Sequence, residues 1–208
     1  MTEISQPQQQ RSRESFARVR AATLELLAEK GPAGVTIAQV SKRAGVSVGS
    51  IYGRVGSRSA LLAIVQQEEL ERIVTSMSDH LAALEAQGEN SVTNVTRTFV
   101  NEMRESSASI RAMVSAAVAQ REHFEAGVRS WRTVRGLVVA ALLGAEEVPQ
   151  ATVAPDWADW IFGLMDSSTV NHLEASAPPT PADTEEFVAL LSRTVAVLLV
   201  AGPSDRTR

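Results

Sequence analysis

The stretch between residues 36 and 58 combines hydroxyl side chains with positive charge at short intervals. Ser47 and Ser50 lie within one helical turn of each other, and Lys42 and Arg54 add cations on either side of them. Serine hydroxyls can exchange hydrogen bonds with base edges or phosphates, and cations neutralise phosphate charge. The chemistry that these residue types suggest is recognition of a polyanion rather than the making or breaking of a covalent bond.

Residues that could catalyse a reaction are scattered. His80, His123 and His172 are far apart, the adjacent acids Glu146 and Glu147 fall in a predicted loop, and there is no cysteine. The sequence contains no HExxH, nucleophile elbow, glycine-rich phosphate loop or zinc-ligand spacing. We therefore expect neither an enzyme nor a metal or other cofactor.

Charge is distributed unevenly along the chain, although the net charge is only −4. Residues 1–60 contain nine Lys or Arg and four Glu, a net charge of +5, whereas the remainder carries −9. A basic N-terminal module suits a polyanion, and an acidic body suits another task. The alternative is a chance distribution of solvated charges.

The element that positions the hydroxyl and basic residues is a pair of short helices around Gly45. Thr36 is a predicted N-cap for the first, and the second runs from Ser47 to about Val55. Gly45 suits a left-handed turn because it has no side chain. This spacing is typical of a helix-turn-helix, whose second helix enters the major groove of DNA. An αα-hairpin without a ligand is the alternative.

Longer helices flank this pair. The first is predicted to end near Lys30 and Gly31, and Ser57 is the predicted N-cap of a long fourth helix. We predict that the following residues contact DNA: Thr36, Lys42, Ser47, Val48, Gly49, Ser50, Tyr52, Arg54 and Arg58.

The segment from about Arg18 to Ile64 resembles the DNA-binding domain of the TetR family of bacterial regulators. The resemblance is carried by the phrase AGVSVGSIY, Ala44 to Tyr52. It implies a basic three-helix head and an all-helical body that binds small molecules and dimerises through its last two helices. The chain departs from the family with Val55 in place of phenylalanine and Arg58 in place of lysine. We expect the end of the recognition helix to be looser, with Gly53 ordering on DNA.

The rest of the chain also has helical spacing and no competing strand pattern, so we predict an all-α fold. Breaks are expected near 106–109 and 122–127, Pro155 should begin a helix, and Thr180 should cap the last one. The predicted domains are a disordered tail (1–12), the helix-turn-helix domain (13–57), a helical ligand-binding and dimerisation domain (58–202), and a disordered tail (203–208).

Apolar residues of the body with a few polar groups could form an effector pocket. Methionine and aromatic residues at this spacing are also typical of an ordinary core. The predicted ligand-binding residues are Met77, Met103, Met113, His123, Phe124, Trp131, Arg135, Met165 and Asp166.

The helix after Pro155 and the last helix have more apolar surface than one packed side would use, which favours a homodimer with a four-helix interface. The alternative is that both helices line a monomeric core. The predicted interface residues are Trp157, Trp160, Ile161, Phe187, Leu191, Val195 and Leu198.

Together these features predict a sequence-specific transcription regulator, a repressor that a small-molecule effector releases from a near-palindromic operator in double-stranded DNA. The polar start and the lack of a long apolar run predict a cytoplasmic protein with no membrane partner. The alternatives are a helical adaptor or sequestering protein that no longer binds DNA and, as a more distant possibility, an enzyme.

Overall fold

A computed structural model describes residues 5–117, 121–148, 153–174 and 183–201. All regular elements in these ranges are helical, which confirms the predicted all-α fold. None of the described helices is long and apolar enough to cross a membrane. The helices are α1 (Ser5–Lys30), a 3-10 turn (Pro32–Gly34), α2 (Ile37–Ala44), α3 (Val48–Val55), α4 (Arg58–Gln87), α5 (Val92–Ala117), α6 (Arg121–Leu143), α7 (Pro155–Leu173) and α8 (Thr184–Val200).

The chain divides into two compact units. The N-terminal unit comprises Met1–Glu71 with Ala108–Val128, and the C-terminal unit comprises Arg72–Ser107 with Arg129–Arg208. The start of α4 belongs to the N-terminal unit because its apolar residues join the core of α1, α2 and α3. The domain boundary predicted between residues 57 and 58 therefore does not coincide with the end of this unit.

The turn between α2 and α3 is built as the sequence predicts. The hydroxyl of Thr36 accepts a hydrogen bond from the backbone N–H of Gln39, and the Gln39 side chain accepts one from the backbone N–H of Thr36. Gly45 has a left-handed backbone with φ 64° and ψ 34°. Ser47 caps α3 by accepting from the backbone N–H of Ser50 at 3.0 Å. These local hydrogen bonds satisfy N–H groups that each helix start would otherwise leave unpaired.

The core of the N-terminal unit fixes α2 and α3 against the longer helices. Val40 and Ile51 are buried together with Val19, Leu26 and Leu61. Burial of each such side chain contributes on the order of 1.5–3 kcal/mol relative to exposure. This packing sets which face of α3 remains outside.

The predicted N-terminal tail is wrong for residues 5–12, because α1 begins at Ser5. Gln10 Nε2 donates to Glu14 Oε1 at 3.1 Å, one helical turn away. Arg54 also donates to Ser12, which adds a long-range contact to this part of the helix. The ends of the chain, residues 1–4 and 202–208, lie outside the described residues.

The predicted breaks near 106–109 and 122–127 are also wrong, because α5 and α6 continue through them. Serine inside a helix is tolerated when its hydroxyl has a partner. The Ser106 hydroxyl donates to Glu102 at 3.2 Å and accepts from Arg72 at 2.9 Å.

The C-terminal unit contains an aromatic cluster of Phe99, Trp131 and Phe162, with ring centroids 5.5–6.2 Å apart. Trp157 Nε1 donates to the backbone carbonyl of Leu198 at 2.9 Å and so joins α7 to α8. Pro155 lies in the first turn of α7, as predicted.

The first residue of α8 is Thr184, and Asp183 is its N-cap. The Asp183 carboxylate accepts from the backbone N–H of Glu186 at 2.9 Å. The predicted cap, Thr180, lies outside the described residues, and the helix begins after it.

Candidate nucleic-acid interface

The outer face of α3 is small, polar and exposed. Ile51 and Val55 are the buried residues of the helix and attach it to the core. Val48 and Tyr52 stand out from it, with 41% and 47% of their surface exposed. The other exposed predicted contacts of this helix and its cap are Ser47, Gly49, Ser50 and Arg54.

The two serines of this face differ in their hydrogen bonds. Ser47 Oγ is the acceptor that caps the helix, and it lies 2.8 Å from Ser50 Oγ. Because the Ser47 hydroxyl oxygen already accepts the capping hydrogen bond, it is less able to bind a base edge. Ser50 is therefore the serine better suited to read a base edge.

Thr36 and Lys42 lie on the exposed surface of α2 and its cap. The Thr36 hydroxyl is used in the capping box with Gln39. Lys42 has no hydrogen bond or ion pair with any residue in the described ranges, so its ammonium group is available to a phosphate.

Arg58, predicted to hold a phosphate, is engaged inside the N-terminal unit. Its Nε donates to the backbone carbonyl of Val35 at 2.6 Å, and its Nη2 donates to that of Pro32. These bonds join the start of α4 to the loop before α2. The guanidinium therefore stabilises the unit, and its phosphate contact stays a prediction.

Arg54, the cation of α3, is engaged with α1. Its Nη1 donates to the carbonyl and hydroxyl oxygens of Ser12 at 3.0 and 2.8 Å. Its guanidinium carbon lies 4.1 Å from the centroid of the Phe16 ring. A cation over an aromatic face is attracted to the ring, so Arg54 joins α1 to the recognition helix.

The acidic residues of the N-terminal unit are partly neutralised. Arg43 makes two hydrogen bonds to Glu29, at 2.6 and 2.9 Å, and lies 3.6 Å from Glu25. Hydrogen bonding from the guanidinium lowers the pKa of the Glu29 carboxyl below its ordinary value. Because the Glu29 carboxylate is paired with Arg43, it repels a nearby polyanion less than an unpaired carboxylate would.

The residues predicted to bind an effector do not gather in one unit. Met113 and Phe124 belong to the N-terminal unit and the others to the C-terminal unit, except His123, whose side chain lies outside the described residues. Phe124 is exposed, whereas Met77, Met103, Met113 and Met165 are buried. This burial is equally that of an ordinary core, so their role stays a prediction.

Three predicted ligand-binding residues in the C-terminal unit have distinct surroundings. Trp131 belongs to the aromatic cluster. Arg135 forms an ion pair with Asp159, with 3.5 Å between Nε and Oδ1. Asp166 is half-buried, and burial raises the pKa of its carboxyl to about 6. The fold therefore favours the neutral form of the Asp166 carboxyl.

The predicted dimer surface needs correction. Ile161, Phe187, Leu191 and Val195 are buried within the single chain, so they form the protomer's own core instead of facing a partner. Trp157 and Leu198 are each half-buried, and of the predicted interface residues Trp160 alone is largely exposed. The exposed apolar residues of these two helices are Trp160, Val170, Leu190, Val197 and Val200.

Sequence reasoning missed Arg11 and Ser12, because both were assigned to a disordered tail. In the structure they lie on α1 and line a cleft with residues of α3. The i, i+4 spacing of Gln10 and Glu14 was the available signal that the helix continues there.

Residues 19–65 match the family model described as bacterial regulatory proteins, tetR family. An uncharacterized HTH-type transcriptional regulator of Mycobacterium tuberculosis is 31% identical over 83 residues, a region that covers 40% of this chain and 43% of that protein.

Two solved structures share the fold over most of the chain. A bacterial regulatory protein in the tetR family from Rhodococcus RHA1 matches with a TM-score of 0.67 at 16% identity, covering 89% of this chain and 96% of that one. The transcriptional regulator FadR from Bacillus subtilis, solved with stearoyl-CoA, matches with a TM-score of 0.61 at 17% identity, covering 90% and 98%.

Proposed function

We propose that this chain, whose residues 19–65 match the family model of tetR-type bacterial regulatory proteins, is a transcription regulator that reads double-stranded DNA with α3. The observation that carries the proposal is the arrangement around Gly45. The left-handed turn at Gly45 and the side-chain caps at Thr36 and Ser47 fix α2 and α3, while the core holds the apolar face of α3 and leaves small and hydroxyl residues outside. A helix with such an outer face can approach the floor of the major groove closely.

Within this function we assign the exposed residues by chemistry. Ser50 and Val48 face base edges, since a hydroxyl can donate or accept and a valine can contact a thymine methyl group. Tyr52, Lys42 and Thr36 hold phosphates and fix the register of the helix.

The operator is read by two copies of the chain. The exposed apolar residues of α7 and α8 would be covered by the same helices of a second protomer, which gives a four-helix interface. A two-fold dimer presents two copies of α3 to a near-palindromic site. The interface centres on Trp160 and Val197 instead of on the buried residues that the sequence predicted.

Effector binding in the C-terminal unit releases the repressor. Helix α4 begins in the N-terminal unit and ends in the C-terminal unit, so a shift of this helix can carry the signal. A coupling of about 1–3 kcal/mol changes operator affinity about 5- to 150-fold, and operator must weaken effector binding by the same factor. Because FadR was solved with stearoyl-CoA, an acyl-CoA is the first probe.

The test compares two variants on DNA selected from a random duplex library by the full chain. Ser50→Ala should change the preferred base at one position of each half-site, by about 1–3 kcal/mol. Lys42→Ala should weaken binding to every sequence alike and make the salt dependence shallower by about 0.9. Equal effects of both variants on all sequences would reject the assignment of α3, and an adaptor that does not bind DNA would select no sequence at all.

A further inference from the structure

A cleft of about 590 Å³ lies between the N-terminal half of α1 and the exposed edge of α3. Its floor includes the apolar side chains of Phe16 and Ile51. Its rim is polar or cationic, with Arg11 and Ser12 contributed by α1 and Ser50 and Arg54 by α3. The cleft therefore opens beside the residues proposed to read DNA.

The two walls of the cleft are held together by one side chain. Arg54 extends from α3 to the carbonyl and hydroxyl of Ser12 and lies over the Phe16 ring. Because the Ser12 hydroxyl oxygen accepts a hydrogen bond from Arg54, the hydroxyl hydrogen can still be donated to another acceptor. Both hydrogen bonds from Arg54 to Ser12 use Nη1, so the rest of the guanidinium still adds positive charge to the rim.

Three other arginines of the N-terminal unit have hydrogen-bond partners outside the cleft. Arg18 Nε donates to the Ala44 carbonyl at 3.2 Å, Arg43 pairs with Glu29, and Arg58 binds backbone carbonyls. Arg11 differs, because it is exposed and makes no hydrogen bond or ion pair within the described part of the chain. Its charge is therefore free to act on a ligand in the cleft.

The charge of α1 favours a polyanion. Glu14 is the one acidic residue in the sequence between Ser5 and Leu24, and its carboxylate accepts from Gln10. Four arginines occupy the same stretch of sequence. A groove with an apolar floor and a cationic, hydroxyl-bearing rim suits a sugar-phosphate strand, whose sugars are largely apolar and whose phosphates are anionic.

We propose that this cleft is a second DNA-contact site, in which Arg11, Ser12 and Arg54 bind a backbone phosphodiester next to the bases read by α3. The proposal rests on the proposed function and extends it to α1. Phosphate contacts of this kind fix the register of a protein on DNA and do not read sequence. Arg54 thereby has two roles, because it holds α1 in place and contributes charge to the phosphate site.

The sequence offers a matched control. Arg13 carries the same charge as Arg11, lies on the same helix two residues later and is also exposed. Two residues of an α-helix are separated by about 200° around its axis, and Arg13 is not among the residues that line the cleft. Arg13→Gln therefore removes the same charge without removing the proposed contact.

The experiment measures affinity of the full chain for a selected duplex over a range of salt concentrations. Arg11→Gln should weaken binding about tenfold, as expected for loss of one charged hydrogen bond. It should also make the slope of log K against log salt shallower by about 0.9 and leave base preference unchanged. Arg13→Gln should change affinity by less than about threefold, because only its long-range charge is lost. Unfolding midpoints of both variants should equal that of the unaltered chain, since both side chains are exposed.

The outcomes separate the two proposals. Equal losses from Arg11→Gln and Arg13→Gln, or no loss from Arg11→Gln, would overturn the cleft as a contact site while leaving DNA recognition by α3 intact. If the unaltered chain selects no duplex, the proposed function fails and the cleft proposal fails with it. Loss of one protected backbone position in a hydroxyl-radical footprint with Arg11→Gln alone would support the contact directly.

Discussion

Arg58 Nε donates a hydrogen bond to the backbone carbonyl oxygen of Val35 at 2.6 Å, across 23 positions of sequence. A second donor of the same guanidinium binds the carbonyl of Pro32. The loop before α2 is thereby tied to the start of α4. Arg58, which the sequence predicts to contact a phosphate, thus stabilises the N-terminal unit through these hydrogen bonds.

Arg58→Ala should destabilise the protein. Loss of hydrogen bonds from a charged donor to part-buried carbonyls is expected to cost about 1–3 kcal/mol, measured as a lower urea midpoint. Arg58→Lys should recover part of the loss, since one ammonium cannot reproduce the fork of a guanidinium. Salt dependence of DNA binding should hardly change. A shallower slope with unchanged stability would instead identify Arg58 as a phosphate contact.

Two glycines of the recognition region should respond to alanine in opposite ways. Gly45 has φ 64°, so Gly45→Ala should lower stability by about 1–2 kcal/mol through backbone strain alone, because a Cβ there meets no atom within 4 Å. Gly53 lies inside α3 with open space around its Cα. Gly53→Ala should raise stability by about 0.5–1 kcal/mol and reduce DNA affinity if α3 approaches the bases closely.

Hydrogen exchange of the α3 amides, compared between Gly53→Ala and the unaltered chain, tests whether the C-terminal end of α3 is loose as expected. α3 is helical through Gly53, Val55 is buried, and Gly56 ends the helix with φ 76°. Slower exchange in Gly53→Ala than in the unaltered chain would support a helix end that opens readily. Equal protection in both would show that Val55 holds the end firmly.

Asp166 should make stability depend on pH. Burial raises the pKa of its carboxyl from the ordinary value of 3.8 to about 6. The folded state therefore holds this proton more tightly than the unfolded state does. The protonated carboxyl contributes to the free energy of unfolding in full below about pH 4, and this contribution is lost as pH rises through 6. Asp166→Asn should be about 1–2 kcal/mol more stable than the unaltered chain at pH 8, because the side chain is only partly removed from water. The two proteins should be equally stable at pH 4. A constant difference at both pH values would contradict the burial argument.

The exposed faces of α7 and α8 should set the oligomeric state. Trp160 and Val197 are 52% and 64% exposed, and Trp160→Glu or Val197→Glu should reduce the mass in solution to that of a 22.3 kDa monomer. Val114→Glu is a matched control, because Val114 is 59% exposed on α5. It should leave the dimer intact. Sedimentation measures all three, and a monomeric unaltered chain or dissociation by Val114→Glu would contradict this interface.

The helix-turn-helix could be predicted because its determinants are local. Thr36, Gly45 and Ser47 act on residues within one turn of themselves, so their types and spacing are sufficient to define the caps and the turn. The same holds for Ser57, whose hydroxyl accepts from the backbone N–H of Ala60 at 3.1 Å. Local hydrogen bonds of this kind are visible in sequence.

The interactions that position α1 could not be predicted, because they join distant residues. The Arg54 to Ser12 contact spans 42 positions and the Arg18 to Ala44 contact spans 26. Four of the predicted dimer-interface residues are buried in the single chain for a related reason. Apolar residues surround much of α8, and only the packing of neighbouring helices determines that Leu191 is inside and Val197 outside.

The central claim, that α3 reads a DNA sequence, is tested most directly by the ratio of affinities of the full chain for its selected duplex and for a random duplex at the same salt concentration. We expect the selected duplex to contain two inverted half-sites about one helical turn or a multiple apart. It should bind at least about 10³-fold more tightly than random DNA near physiological salt. Equal affinity for both duplexes, or enrichment of no sequence, would contradict the account.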